Sequence, residues 1–233
     1  MKRKILLLML LCPIFIFGQT WDYPVKPGTE EWRKFQSNQE MVDACQIPEE
    51  VLLSISTDDL MKLCLNYPLL YDVFAFNNTN EGLDKLFSDF NGIREFYKRE
   101  DAFEKLLGHY KTKMNNLSLL KSNDTDMEKG LFIIYISALE VLMSYESNIG
   151  EKASKELLRN LVIGYEEKSK YTDFFKGFGF RTNLYSRAKL ILQMDKRNLM
   201  NLPQTDKNPV FTSGFTDEKS VEIIDVLSYE LIK

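Results

Sequence analysis

From Leu131 to Met143 the chain is apolar at every position except Ser137 and Glu140. With Ser144 and Ser147, these polar residues follow one another at intervals of three, four and three. In a helix that spacing draws one narrow polar stripe, whereas a strand would scatter the residues over both faces. A helix apolar on nearly every side must be wrapped by other elements, so this segment predicts a central helix in a core. Glu140 is the odd member. Its place on the serine stripe predicts a side chain that is solvated or paired with a lysine.

The rest of the sequence reads as a succession of helices. Thr29 precedes Glu30 and Glu31 as an N-cap with acids in the first turn. Ser37 and Glu40 have the capping-box spacing, and Pro48 opens a further helix through Glu49, Glu50, Val51 and Leu52. Ser56 starts another, through Leu60, Leu63 and Cys64, which Tyr67-Pro68 ends before a helix from Leu69 to Phe76. Asn91-Gly92 interrupts the stripe of Leu83, Leu86, Phe87, Phe90 and Tyr97, giving two helices or one with a break. Helices follow from Ala102, from Leu157 and from Leu184; Ser220 to Leu227 suits a last helix or a strand. No hairpin signal separates alternating runs. The fold class is therefore all-α, either a multi-helix orthogonal bundle or a short α-solenoid of stacked helices. The solenoid alternative rests on two similar pieces, Ala44-Cys45-Gln46-Ile47-Pro48 and Leu63-Cys64-Leu65-Asn66-Tyr67-Pro68.

Lys2, Arg3 and Lys4 precede a 13-residue apolar run, Ile5 to Phe17, and then Gly18-Gln19. This is the layout of a secretory signal peptide, and the run is shorter than the roughly 20 residues of a membrane span. Cleavage is expected after Gly18 or Gln19. Lipidation at Cys12 is disfavoured, because Leu11 precedes it and apolar residues follow it. The expected organisation is a signal peptide over 1–18 and one helical domain over 19–233, with a subdomain boundary placed in the polar stretch 111–126. Losing three cations takes the net charge from −4 to −7, a balance that argues against nucleic acid as a partner. Two cysteines then remain. Cys45 and Cys64 read as small buried residues, bonded to each other or not.

Three stretches, Lys26-Pro27-Gly28-Thr29-Glu30-Glu31-Trp32, Cys45 to Leu52, and Leu65-Asn66-Tyr67-Pro68-Leu69, give the chain a likeness to known sequences. Over roughly residues 23 to 100 it resembles uncharacterised secreted proteins of Bacteroidetes-type bacteria. The resemblance implies export and a bacterial origin, and it transfers no activity and no functional residue.

Reactive groups are sparse. His109 is the single histidine, so neither a Cys–His nucleophile nor a serine triad has local support, and no Gly-x-Ser-x-Gly elbow is present. One histidine and two cysteines lack the close spacing of a zinc site, and no Asp-x-Asp-x-Asp-Gly loop suggests calcium; no metal or cofactor is expected. The acid pairs Glu30/Glu31, Glu49/Glu50 and Asp58/Asp59 stand at predicted helix starts, where capping explains them. The least ordinary stretch runs from Phe174 to Thr182. There Lys176, Phe178, Phe180, Arg181 and Thr182 are the candidate ligand-binding residues, with backbone amides and cations for an anion and aromatic rings for a sugar or peptide. The reading that follows is an exported, noncatalytic helical module, without a transmembrane segment after cleavage, that binds a protein or cell-envelope partner. The alternative is an exported carboxylate-dependent hydrolase acting on glycans.

Overall fold

A computed structural model describes residues 21–76, 79–119, 125–145, 149–175, 177–194 and 218–233. The expected signal peptide over 1–18, Ser147 and Lys176 lie outside the described residues. Among the described residues the regular structure is entirely helical, with no strand. Eleven α-helices run α1 (Glu30–Arg33), α2 (Asn38–Ala44), α3 (Glu49–Ser54), α4 (Thr57–Leu65), α5 (Thr79–Asp89), α6 (Asn91–Phe96), α7 (Ala102–Asn115), α8 (Asp126–Met143), α9 (Gly150–Ser169), α10 (Phe178–Met194) and α11 (Glu218–Leu231). None is long and apolar enough to cross a membrane.

The capping residues do what their chemistry requires. Thr29, Ser37 and Ser56 accept hydrogen bonds from the backbone N–H groups of Trp32, Glu40 and Asp59. Thr125 and Glu128 close a full capping box at the start of α8. Tyr67-Pro68 does end α4, but the segment beyond it forms a short 3-10 helix, Leu70–Phe74, and not an α-helix. The stripe before Tyr97 is two helices. Their junction at Asn91 is held from outside: Asn91 Nδ2 donates to the Ile47 carbonyl, and the Asn91 N–H donates to Gln46 Oε1. Ser220 to Leu227 belongs to α11, so the helical alternative holds there.

The two cysteine-proline pieces differ in structure. Cys45 caps the end of α2, whereas Cys64 lies inside α4, and only the first proline leads into an α-helix. Both thiols are buried and free, and burial raises Cys45 to about 11. Around them, α4 packs on α6 and α7, and α7 packs on α8 and α9. α10 lies against α8, α9 and α11. One cluster of buried apolar side chains runs through these layers from Tyr23 to Ile224. From Ile136 to Met143, α8 is buried at every residue, as the sequence of its central helix requires. α10 is buried on almost all faces from Thr182 to Ile191.

Candidate functional site

The serine stripe of α8 meets α10 inside the bundle, and there the apolar core turns polar. Glu140, Ser137 and Ser144 are fully enclosed, and so are Lys168, Asn183, Ser186 and, to 1%, Arg187. The Glu140 carboxylate accepts four hydrogen bonds from three helices. Oε1 takes Tyr110 Oη at 2.9 Å, Lys168 Nζ at 2.7 Å and Asn183 Nδ2 at 2.9 Å. Oε2 takes Thr182 Oγ1 at 2.8 Å. Four is about the full acceptor capacity of a carboxylate. Lys168 also donates to the Gly179 carbonyl at 2.7 Å and stands over the Phe175 ring. Burial pulls the Lys168 ammonium below the usual lysine range, against the opposing pull of Glu140. Burial, reinforced by Glu140, holds the Tyr110 phenol well above its ordinary value.

Two local features make this arrangement possible. A Cβ at residue 164 would fall 2.0 Å from Tyr110 Oη, so only glycine lets that hydroxyl reach through α9 to Glu140. At Gly177 the backbone takes φ +56°, a conformation that suits glycine and turns the chain out of α9 into α10. A second polar pair extends the seam, with Arg187 donating to Asp225 at 2.6 Å and to Ser228 Oγ at 3.0 Å. Glu140, Lys168 and Arg187 are enclosed and tie their helices together, while the Asp225 side chain is 38% exposed and Ser137 Oγ and Asn183 Oδ1 are buried without a hydrogen-bond partner.

Of the residues named from the sequence as a ligand site, the four that are described, Phe178, Phe180, Arg181 and Thr182, do not converge. α10 begins at Phe178, so Thr182 does not stand at the helix start; it lies one turn inside and its hydroxyl points inward to Glu140. Arg181, its neighbour, is exposed and lines none of the clefts described below. Phe180 is half-buried, edge-on to Tyr165. Phe178 is 37% exposed and meets the Phe74 ring edge-on. Successive residues of one helix turn necessarily face different ways, and here the turn divides between core and surface.

Open surface with converging side chains lies elsewhere. The N-terminal segment from Trp21 to Pro27 lies beside α4 and the Tyr67–Tyr71 turn and leaves an open groove of about 810 Å³. Tyr23, Leu63, Leu65 and Tyr67 are buried and form its floor; Trp21, Pro27, Pro68 and Tyr71 line it at partial or full exposure. Tyr23 is pinned by donating to the Leu63 carbonyl at 2.8 Å, and the Trp21 ring sits edge-on to it at 4.9 Å. Two ion pairs stand at the rim, Lys26–Asp22 and Lys62–Asp59. Their partners lower Asp22 and Asp59 and raise Lys62. Burial raises the phenols of Tyr23, Tyr67 and Tyr71, keeping them neutral at ordinary pH.

Two other clefts are smaller in volume. One of about 590 Å³ lies between α7 and α9, beside Lys111 and Glu156, which pair with each other. One of about 330 Å³, lined by Asp72, Lys85 and Asp89, lies between α2, the 3-10 helix and α5. The acid pairs named from the sequence serve other ends. Glu30/Glu31 and Glu49/Glu50 sit in first turns, while Asp58 pairs with Lys105. Among the described residues no group of three His, Cys, Asp or Glu side chains is placed to hold a metal ion. His109 Nε2 lies 2.6 Å from Tyr135 Oη, far in sequence from either cysteine.

The groove residues were missed in the sequence because they come from segments some 40 residues apart, and each had a local explanation. Tyr67-Pro68 reads as a helix terminator, and Trp21 lies in the short stretch ahead of the cap at Thr29. The available signal was the density of Trp, Tyr and Pro in both segments. Comparison with protein-family models, with curated proteins and with solved structures finds no match to this chain.

Proposed function

We propose that the protein is an exported, noncatalytic helical module that binds a protein or cell-envelope component through the groove between Trp21 and Tyr71. The observation that carries this reading is the groove itself. Aromatic side chains are held open there over a rigid floor, with polar groups ranged at the rim, in a volume within the ~300–1,000 Å³ of ordinary ligand sites. The Glu140 carboxylate is enclosed and already holds four hydrogen bonds, which supports a structural role for the charges around it. The acids at helix starts favour the module over a carboxylate-dependent hydrolase.

The test uses protein isolated from its native host. Intact mass should show cleavage near Gly18. The purified protein should co-sediment with the host's envelope fraction, and Trp21→Ala/Tyr71→Ala should abolish this with thermal stability little changed. A chain still carrying residues 1–18, or co-sedimentation untouched by the double substitution, would overturn the reading.

A further inference from the structure

The rim of the groove is balanced in charge. Lys26 and Lys62 face the same opening as Asp22 and Asp59, and each cation already holds its own anion. An anionic ligand would meet both carboxylates, and a cationic one both ammonium groups. With two charges of each sign, the opening favours neither. A neutral ligand rich in hydroxyls meets no such conflict. A hydroxyl donates to a carboxylate oxygen and accepts from an ammonium, so it bridges a pair without displacing either member. The side-chain amide of Asn66 adds both functions at the same edge.

The walls point to the same class. Trp21, Tyr71, Pro27 and Pro68 offer flat apolar faces of the size that the C–H face of a pyranose ring covers. Aromatic side chains with a polar tip supply this contact at low entropic cost. The groove is open and passes beside polar groups along its length, which suits a chain of linked rings. A peptide is a weaker fit. An extended peptide would arrive with a row of backbone N–H and C=O groups, and among the described residues no strand edge beside the groove pairs them; a proline-rich segment, which needs no such edge, is the peptide the test must exclude.

We infer that the groove binds a neutral oligosaccharide, with Trp21 and Tyr71 as stacking platforms and the Lys26–Asp22 and Lys62–Asp59 pairs as hydroxyl partners. The inference rests on the reading of the groove as the binding face.

The experiment is calorimetric titration of the purified protein with neutral hexose and N-acetylhexosamine hexamers. An acidic oligogalacturonate and a proline-rich peptide serve as comparators. At least one neutral hexamer should bind, with little dependence on salt. Trp21→Ala should weaken that binding about tenfold, the equivalent of roughly 1.4 kcal/mol, and Trp21→Phe should restore most of it. The Phe variant separates loss of stacking from loss of fold. Binding of the oligogalacturonate or the peptide in preference, or no binding of any neutral hexamer, would overturn the inference. If the hexamers fail while envelope co-sedimentation still depends on Trp21 and Tyr71, only the ligand class falls. If both fail, the groove reading falls with it.

Discussion

The polar seam at Glu140 and the groove at Trp21 contain similar chemistry: carboxylates, lysines and tyrosines. They differ in what surrounds that chemistry. At Glu140 the ion pair is fully enclosed, and each charge is answered by several fixed donors or acceptors. At the groove the pairs are exposed, with Lys26 and Asp22 at 52% and 64%. Water weakens such pairs and leaves them free to exchange partners. Enclosure makes a charge pair an organiser of helices, and exposure makes the same pair available to a ligand.

The sharpest way to break this contrast is to unpair the seam. Glu140→Leu leaves Lys168 buried without its anion, and loss of a buried partner costs about 3–5 kcal/mol, a large share of a domain's total stability. Urea unfolding measures it. The double variant Glu140→Leu/Lys168→Met should recover part of that loss: no buried charge is left unanswered, but Tyr110, Thr182, Asn183 and the Gly179 carbonyl each lose a partner. A single variant within about 1 kcal/mol of the wild type would remove the structural role assigned to the seam.

A smaller effect is expected from the notch that admits Tyr110. Gly164→Ala places a methyl group against Tyr110 Oη, and overpacking of this kind costs about 1–3 kcal/mol. Tyr110→Phe removes the clashing oxygen, so in a double-mutant cycle the two substitutions together should cost less than their sum. Strict additivity would mean that α9 yields and the notch is not tight.

The smallest effect belongs to the groove and is read by pH. Lys26 holds Asp22 below the ordinary carboxylate value of 3.8 by a direct hydrogen bond. A carboxyl lowered in the folded state contributes stability above its unfolded value, and that contribution is lost as pH falls through the folded value. Asp22→Asn should therefore melt slightly below the wild type at pH 6 and together with it near pH 2. A difference that persists at pH 2 would show that Asp22 acts through packing and not through its charge.

Much of the fold was legible because its signals are local. Caps at Thr29, Ser37 and Ser56 announce helix starts within four residues, and the apolar run of α8 announces its own burial. For Glu140 the sequence left two outcomes, solvation or a lysine partner, and the structure shows the second with the side chain fully buried. Its partner was hidden, since Lys168 follows Glu166 and Glu167 and reads as part of a solvated charged face. Thr182 was legible as polar and near a helix start, but which way one helix turn points is set by what packs against it. The proline before Leu69 was read as opening an α-helix, yet the packing of α5 against Leu70–Phe74 accompanies a tighter 3-10 turn. The groove was least legible, because a concave surface is a relation between segments.

The seam also sets an order of events during synthesis. Glu140 is answered by Lys168, 28 residues further along, and by Asn183, 43 residues further along. At about 5–20 residues per second, the ribosome releases α8 roughly 2–9 s before Asn183 follows. Until Lys168 emerges, burying α8 would enclose the carboxylate with Tyr110 as a donor but without its cation. The hydrogen bonds of Glu140 can all be made only once the C-terminal third of the chain has emerged.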